Sequence, residues 1–169
     1  MPLLLAVATS LVASTLVHPE ANAQPAMEIP LEATGGGAYE LTLSVAGNPD
    51  FEAAFLLDTG AAMVTVSEGL YRQLKKVTET RQLRTVAGRM ADGRYKQFPV
   101  YEIKGLTLGD SCDLQTLEVL VVGGKGRNLL GLNALERVAP FTMSLAPPAL
   151  LISGCNAPVL TESVAAADR

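Results

Sequence analysis

Histidine is nearly missing from this chain: the single copy is His18, close to the N-terminus. It falls in a segment read below as a removable leader, so the remaining chain has no imidazole. That excludes Ser-His-Asp and Cys-His nucleophile systems and histidine-ligated metals. Tryptophan is absent, and only two cysteines occur, Cys112 and Cys155. Two isolated cysteines do not make a zinc site, and neither metal nor cofactor is expected. Basic residues do not exceed acidic ones (13 against 17, formal net charge −4), which argues against nucleic acid or an anionic membrane surface as partner. Long apolar runs are missing too: residues 3–17 form the main one, short of the roughly 20 residues a spanning helix needs. Acid–base chemistry at ordinary pH is left to carboxylates, lysines and tyrosines.

What remains is one domain's worth of sequence, 169 residues of which 49% are hydrophobic. The apolar run ends at His18-Pro19-Glu20, and Ala21-Asn22-Ala23 fits the small-x-small cleavage rule. Residues 1–23 therefore read as a signal peptide, with the protein exported to the periplasm or secreted and not stably inserted in the membrane once cleaved. A retained N-terminal anchor is the alternative. No cysteine follows the run to carry a lipid. In an oxidising compartment Cys112 and Cys155 either bridge or stay as two buried thiols, and nothing in their spacing decides between these.

Residues 24–37 read as a flexible N-terminal segment with a short strand at 27–31 and a Gly35-Gly36-Gly37 link. Residues 38–154 form the domain, and 155–169 a loose tail. With 15 glycines and 10 prolines, many turns and short strands are expected. Alternation at Tyr39, Leu41, Leu43 and Val45 predicts a half-buried strand, a turn follows at 47–50, and a second strand covers 53–57. Ser67 is a candidate cap for a helix over 68–74. Strands are predicted at 81–86 and 95–103, joined across the tight-turn signal Asp92-Gly93, and again at 106–108, 114–122, 141–145 and 150–152. One short helix is expected at 133–138. The sum is an all-β domain with one or two short helices, closed or folded over as a β-barrel.

Within this pattern Phe55-Leu56-Leu57-Asp58-Thr59-Gly60-Ala61 sets a carboxylate in the most apolar stretch of the chain. Burying a lone carboxylate is costly, so the local structure must solvate it. Gly60 permits a tight turn that aims backbone N–H groups at the acid. These residues, with Thr65 and Ser67 after them, resemble the active-site motif of aspartic proteases. The hairpin turn at Asp92-Gly93 lies where a retropepsin-like domain has its flap. Asn128-Leu129-Leu130-Gly131-Leu132 lies where that family has two apolar residues and a glycine before a short helix. In order, the match covers residues 38–152 and is most similar to bacterial, exported retropepsin-like aspartic proteases with a single D-T-G.

The resemblance implies the acid-protease β-barrel and hydrolysis of a polypeptide substrate by water, without cofactor. One D-T-G supplies half of a catalytic pair, so a homodimer is implied, with Asp58 from each copy sharing a proton on the twofold axis. It assigns Asp58 as the acid/base, Thr59 as a brace across the axis and Gly60 as an N–H donor to the carboxylate. Ala61 and Ala62 would line the cleft floor. Met90, Ala91, Asp92, Gly93 and Arg94 would form a lid tip over the substrate, and Leu130 and Gly131 would pack under the D-T-G loop. Met63 reads as core.

Plainer readings stand beside these. Asp58 is otherwise a turn-capping acid before glycine, and Asp92-Gly93 an ordinary hairpin. Lys125 and Arg127 read as a solvated loop, and Asp110, Asp113 and Glu118 as surface acids. The phosphate loop of actin-like ATPases also opens on an apolar strand and D-x-G, but it needs two large α/β domains, which this chain is too short to supply. A catalytically inactive periplasmic peptide-binding or assembly module on the same fold is the alternative function.

Overall fold

A computed structural model of the chain describes residues 27–89, 93–109, 111–124 and 126–155. The strands follow the apolar alternation. They are β1 (Met27–Pro30), β2 (Glu32–Thr34), β3 (Ala38–Val45), β4 (Asn48–Leu57), β5 (Val64–Ser67), β6 (Thr80–Arg89) and β7 (Tyr95–Lys104), then β8 (Leu106–Leu108), β9 (Cys112–Asp113), β10 (Thr116–Val122), β11 (Leu129–Leu130), β12 (Phe141–Leu145) and β13 (Pro148–Ile152). Helix α1 (Glu68–Val77) follows β5, and α2 (Leu132–Leu135) follows β11 and tightens into a 3-10 turn, Glu136–Val138. In β3, Leu41, Leu43 and Val45 are buried and Thr42 is exposed, as a period of two requires.

The larger sheet has ten strands, ordered β6-β7-β10-β5-β11-β4-β3-β8-β9 with β2 added on β3. Its core holds Phe55, Leu43, Leu74, Ile103, Leu117 and Leu130, each almost wholly buried. The fold class is the expected one, mostly β with short helices, but the sheet does not close into a barrel. The reason lies in how the strands are used. β1, β13 and β12 form a separate three-stranded sheet rather than bridging its ends. β7 pairs with β10 only from Val100 to Lys104, so its first half pairs with β6 alone and extends as a two-stranded arm.

Several boundaries shift for local reasons. β4 starts at Asn48, because Val45 pairs with Asn48 across a turn in which Gly47 adopts φ +77°; the predicted turn at 47–50 is mostly strand. Residues 35–37 form the turn of the β2–β3 hairpin, with Gly36 and Gly37 at positive φ. Helix α1 is capped as expected, Leu70 N–H donating to Ser67 Oγ at 3.2 Å, with Glu68 in its first turn and Lys75 and Lys76 in its last, each favourable to the helix dipole. It runs three residues past the predicted end, to Val77, and stops where Thr78 turns extended. The helix expected at 133–138 begins one residue earlier and changes to 3-10 geometry midway.

The first and last described strands, β1 and β13, pair antiparallel with each other, Met27 opposite Ile152 and Pro30 opposite Ala149. Just beyond β13, Cys155 is bonded to Cys112 of β9, with Cα atoms 5.3 Å apart. The bridge ties the small sheet to the large one and closes a loop of 43 residues. Replacing both cysteines by alanine is expected to lower unfolding free energy by about 3 kcal/mol, mainly by freeing the unfolded chain. Urea melts of the double variant and the parent measure this. No described helix is long and apolar enough to cross a membrane.

Candidate active site

Asp58 stands directly after β4, at the start of the loop 58–63 that leads into β5. One neighbouring segment, residues 129–133, holds this loop. β11 lies between the two strands that flank it, Leu129 and Leu130 running parallel to Leu56 and Leu57 of β4, and Leu129 opposite Thr65 of β5. Asp58 N–H donates to the Leu130 carbonyl at 3.1 Å. Past the crossing, Leu132 N–H donates to the Ala61 carbonyl at 2.8 Å and Asn133 N–H to the Ala62 carbonyl at 3.2 Å. Gly131 is buried at the crossing itself, where a methyl group would lie 2.5 Å from the Met63 carbonyl.

The carboxylate is half-buried and locally solvated: Gly60 N–H donates to Asp58 Oδ1 at 2.8 Å, and Ala61 N–H to the Asp58 carbonyl at 3.2 Å. This is the turn the sequence pattern anticipates. A Cβ on Gly60 would stand 3.2 Å from Asp58 Oδ1, a tight contact that the carboxylate would have to yield to by a few tenths of an ångström. Thr59 and Gly60 are exposed, so the loop presents an open face with the carboxylate at its base.

Of the predicted site residues, the structure assembles Asp58, Thr59, Gly60, Ala61 and Ala62 with Leu130 and Gly131 into one hydrogen-bonded unit. Ala61 is half-buried and Ala62 exposed. Gly93, at φ +81°, and Arg94 are exposed at the tip of the β6–β7 hairpin, while Met90, Ala91 and Asp92 lie outside the described residues. Met63 is half-buried rather than core, and its backbone carbonyl lies against the Gly131 crossing.

Two residues that the motif reading passed over hold the unit together. Asn133 accepts from Val64 N–H through Oδ1 at 2.8 Å and donates through Nδ2 to the Glu118 carbonyl at 2.8 Å. Asn128 accepts from Ser67 N–H at 3.0 Å and donates to the Ala54 carbonyl at 3.2 Å. Each amide uses both ends to satisfy backbone groups of two different strands, the usual task of an asparagine set inside apolar sequence. Their signal was present: asparagines at both ends of the apolar segment 128–133.

Glu118 is not a free surface acid. Arg84 of β6 reaches over β7 and forks onto it, Nη1 to Oε1 at 2.7 Å and Nη2 to Oε2 at 2.5 Å. The guanidinium holds the Glu118 carboxyl below its ordinary range. Because the Glu118 carbonyl also takes the Asn133 amide, the hairpin arm and the Asp58 loop share one network. Asp113 accepts from Gln115 N–H at 2.7 Å as a local turn, and Arg127 is exposed.

An aspartate on a tight Thr-Gly turn, threaded by an apolar strand ending in glycine and a short helix, defines the acid-protease class in its retropepsin-like form. The chain belongs to the family described as "gag-polyprotein putative aspartyl protease", which matches residues 41–137, more than half of its length. Among solved structures it is similar to a crystal structure of a retropepsin-like aspartic protease from Rickettsia conorii, at 18% sequence identity and a TM-score of 0.53, over 75% of this chain and 90% of that one. No curated protein sequence matches it.

Proposed function

We propose that this chain is an aspartic endopeptidase whose working form is a twofold homodimer. The observation that carries the reading is the half-buried Asp58, one oxygen fixed by Gly60 N–H and the other side of its loop open. Apposed to the partner's Asp58 within a few Å, it shares one proton, since two such carboxylates do not ionise together. The ionised member takes a proton from a water between them. The water oxygen then bonds to the scissile carbonyl carbon, whose oxygen accepts a hydrogen bond from the protonated member. Collapse breaks the C–N bond, and the leaving amine takes a proton from the dyad. Thr59 braces the two loops, Ala61 and Ala62 floor the cleft, and residues 90–94 close over an extended polypeptide and exclude water. No metal or cofactor enters.

Two features support the pairing. A chain with one D-T-G holds half a dyad. In addition, β12 pairs only with β13 among the described residues, and its apolar residues Phe141, Met143 and Leu145 share one face, with Met143 36% and Leu145 62% exposed. An open edge carrying apolar side chains is one that native proteins cover. Leu145→Asp is expected to weaken dimerisation about a hundredfold, because an isologous contact is lost twice; sedimentation equilibrium of parent and variant reads it. The export reading is supported by the Cys112–Cys155 bridge, since disulfides persist mainly in oxidising compartments; removal of a leader near Ala23 goes with it.

The test of the function is peptide cleavage across acidic and neutral pH, with and without a pepstatin-type inhibitor, alongside the mass in solution. Inhibitor-sensitive cleavage by a dimer is the expected result. A folded protein that cleaves nothing at any of these pH values leaves the non-catalytic binding module in its place.

A further inference from the structure

Away from Asp58, helix α1 and strand β7 enclose an open groove of about 450 Å³. Its floor is aromatic. Tyr71 and Phe98 are buried there beside the half-buried Tyr101, and the Tyr71 and Tyr101 ring centroids are 4.2 Å apart. Its rim is cationic. Lys75 Nζ lies 5.6 Å from the Tyr71 ring centroid, and Lys96 Nζ 5.8 Å from that of Phe98. Arg72 and Glu68 line it too, but they pair with each other at 2.9 Å and offset one another, which leaves the two lysines as its net charge.

The two lysines differ from three bases of β6 and β7 nearby. Arg81 pairs with Glu102, Arg84 with Glu118 and Lys104 with Glu79, each within 3.2 Å. Lys75 and Lys96 have no carboxylate partner among the described residues; each rests on a ring instead. In a chain of net charge −4, two unmatched ammonium groups over an aromatic floor set the charge of whatever fits between them. Such a floor takes an apolar or aromatic side chain, and the rim takes carboxylates beside it. Two cations are few for a polynucleotide, which is gripped by several phosphate contacts at once.

We propose that the α1–β7 groove binds an acidic, aromatic-containing segment of a polypeptide, and so selects substrates at a distance from the scissile bond. Its position suits that task. Lys96 lies two residues from Arg94 at the tip of the hairpin, and α1 continues from β5, the strand that leaves the Asp58 loop. The substrate role rests on the proteolytic reading; the binding role does not.

The probe is a fluorescein-labelled peptide of alternating glutamate and tyrosine, with a lysine–tyrosine peptide as its counterpart, titrated by anisotropy against the Asp58→Asn chain. The glutamate peptide is expected to bind and the lysine peptide not. Lys75→Glu with Lys96→Glu should weaken binding at least about tenfold, less so as salt shortens the Debye length below about 10 Å. The charge-matched control, Lys76→Glu with Lys104→Glu, should leave it within about twofold. Equal weakening by the control, or no weakening by the groove pair, overturns the proposal. Tighter capture of a single-stranded oligonucleotide or of phosphatidylglycerol vesicles through the same lysines also overturns it. In the wild-type chain, the groove pair should raise KM for a substrate carrying the glutamate–tyrosine stretch. If binding through these lysines is found and no peptide is cleaved, the groove stands and the protease reading falls.

Discussion

Asp58→Asn is expected to remove peptide cleavage by at least about 10³-fold while leaving the fold and the dimer in place. The asparagine oxygen still accepts from Gly60 N–H, which now meets Asp58 Oδ1 at 2.8 Å, so the turn keeps its main local bond. What is lost is the ability to hold and release a proton. Because each active site would draw one carboxylate from each chain, mixing adds a sharper test. Wild-type and variant chains, unfolded together and refolded in equal amounts, should keep about a quarter of the activity, the share of dimers with two wild-type chains. A fall to one half would mean that each chain works alone, which would remove the shared proton from the mechanism. Size-exclusion chromatography and far-UV circular dichroism on the same samples check that the loss is chemical.

That test depends on a site much of which can be read from the sequence, and the reason is local. Asp58, Thr59 and Gly60 build their turn from contacts within three residues, so the tripeptide and its apolar brackets carry the information. The cap of α1 at Ser67 and the alternation of β3 are equally local, and both appear as expected. What the sequence obscured was long-range. Asn133 acts on Val64, 69 positions away, and Asn128 on Ser67, 61 positions away; no periodicity marks such a partner. Glu118 reads as a surface acid until the register of β6, β7 and β10 brings Arg84 to it. Barrel closure failed as an expectation for the same reason. Short apolar segments specify strands but not which sheet they join, and β1, β12 and β13 joined one of their own. The pairing of Cys112 with Cys155 was likewise undecidable from spacing, since it depends on where β9 and the end of β13 meet.

The largest structural effect is expected from Gly131→Ala. Gly131 has φ −90°, which any residue adopts, so backbone strain is not the cause. Space is. An added Cβ would lie 2.5 Å from both the carbonyl carbon and oxygen of Met63 and 2.8 Å from the Ala61 carbonyl oxygen. All three are backbone atoms, so no side-chain rotation relieves the overlap. Two responses remain. If β11 moves away, Asp58 N–H loses the Leu130 carbonyl and Leu132 N–H loses the Ala61 carbonyl. If residues 61–63 move, the Asn133 bridge to Val64 N–H breaks. Either displacement separates the Asp58 loop from the strand that braces it. The expected loss exceeds about 4 kcal/mol, above ordinary overpacking because backbone hydrogen bonds go with it. Urea denaturation monitored by tyrosine fluorescence measures the loss, and hydrogen exchange at the Asp58, Val64 and Leu132 amides shows which segment yields. An alanine variant within about 1 kcal/mol of the parent, with those amides still protected, would mean that β11 does not press on the loop as closely as these distances require.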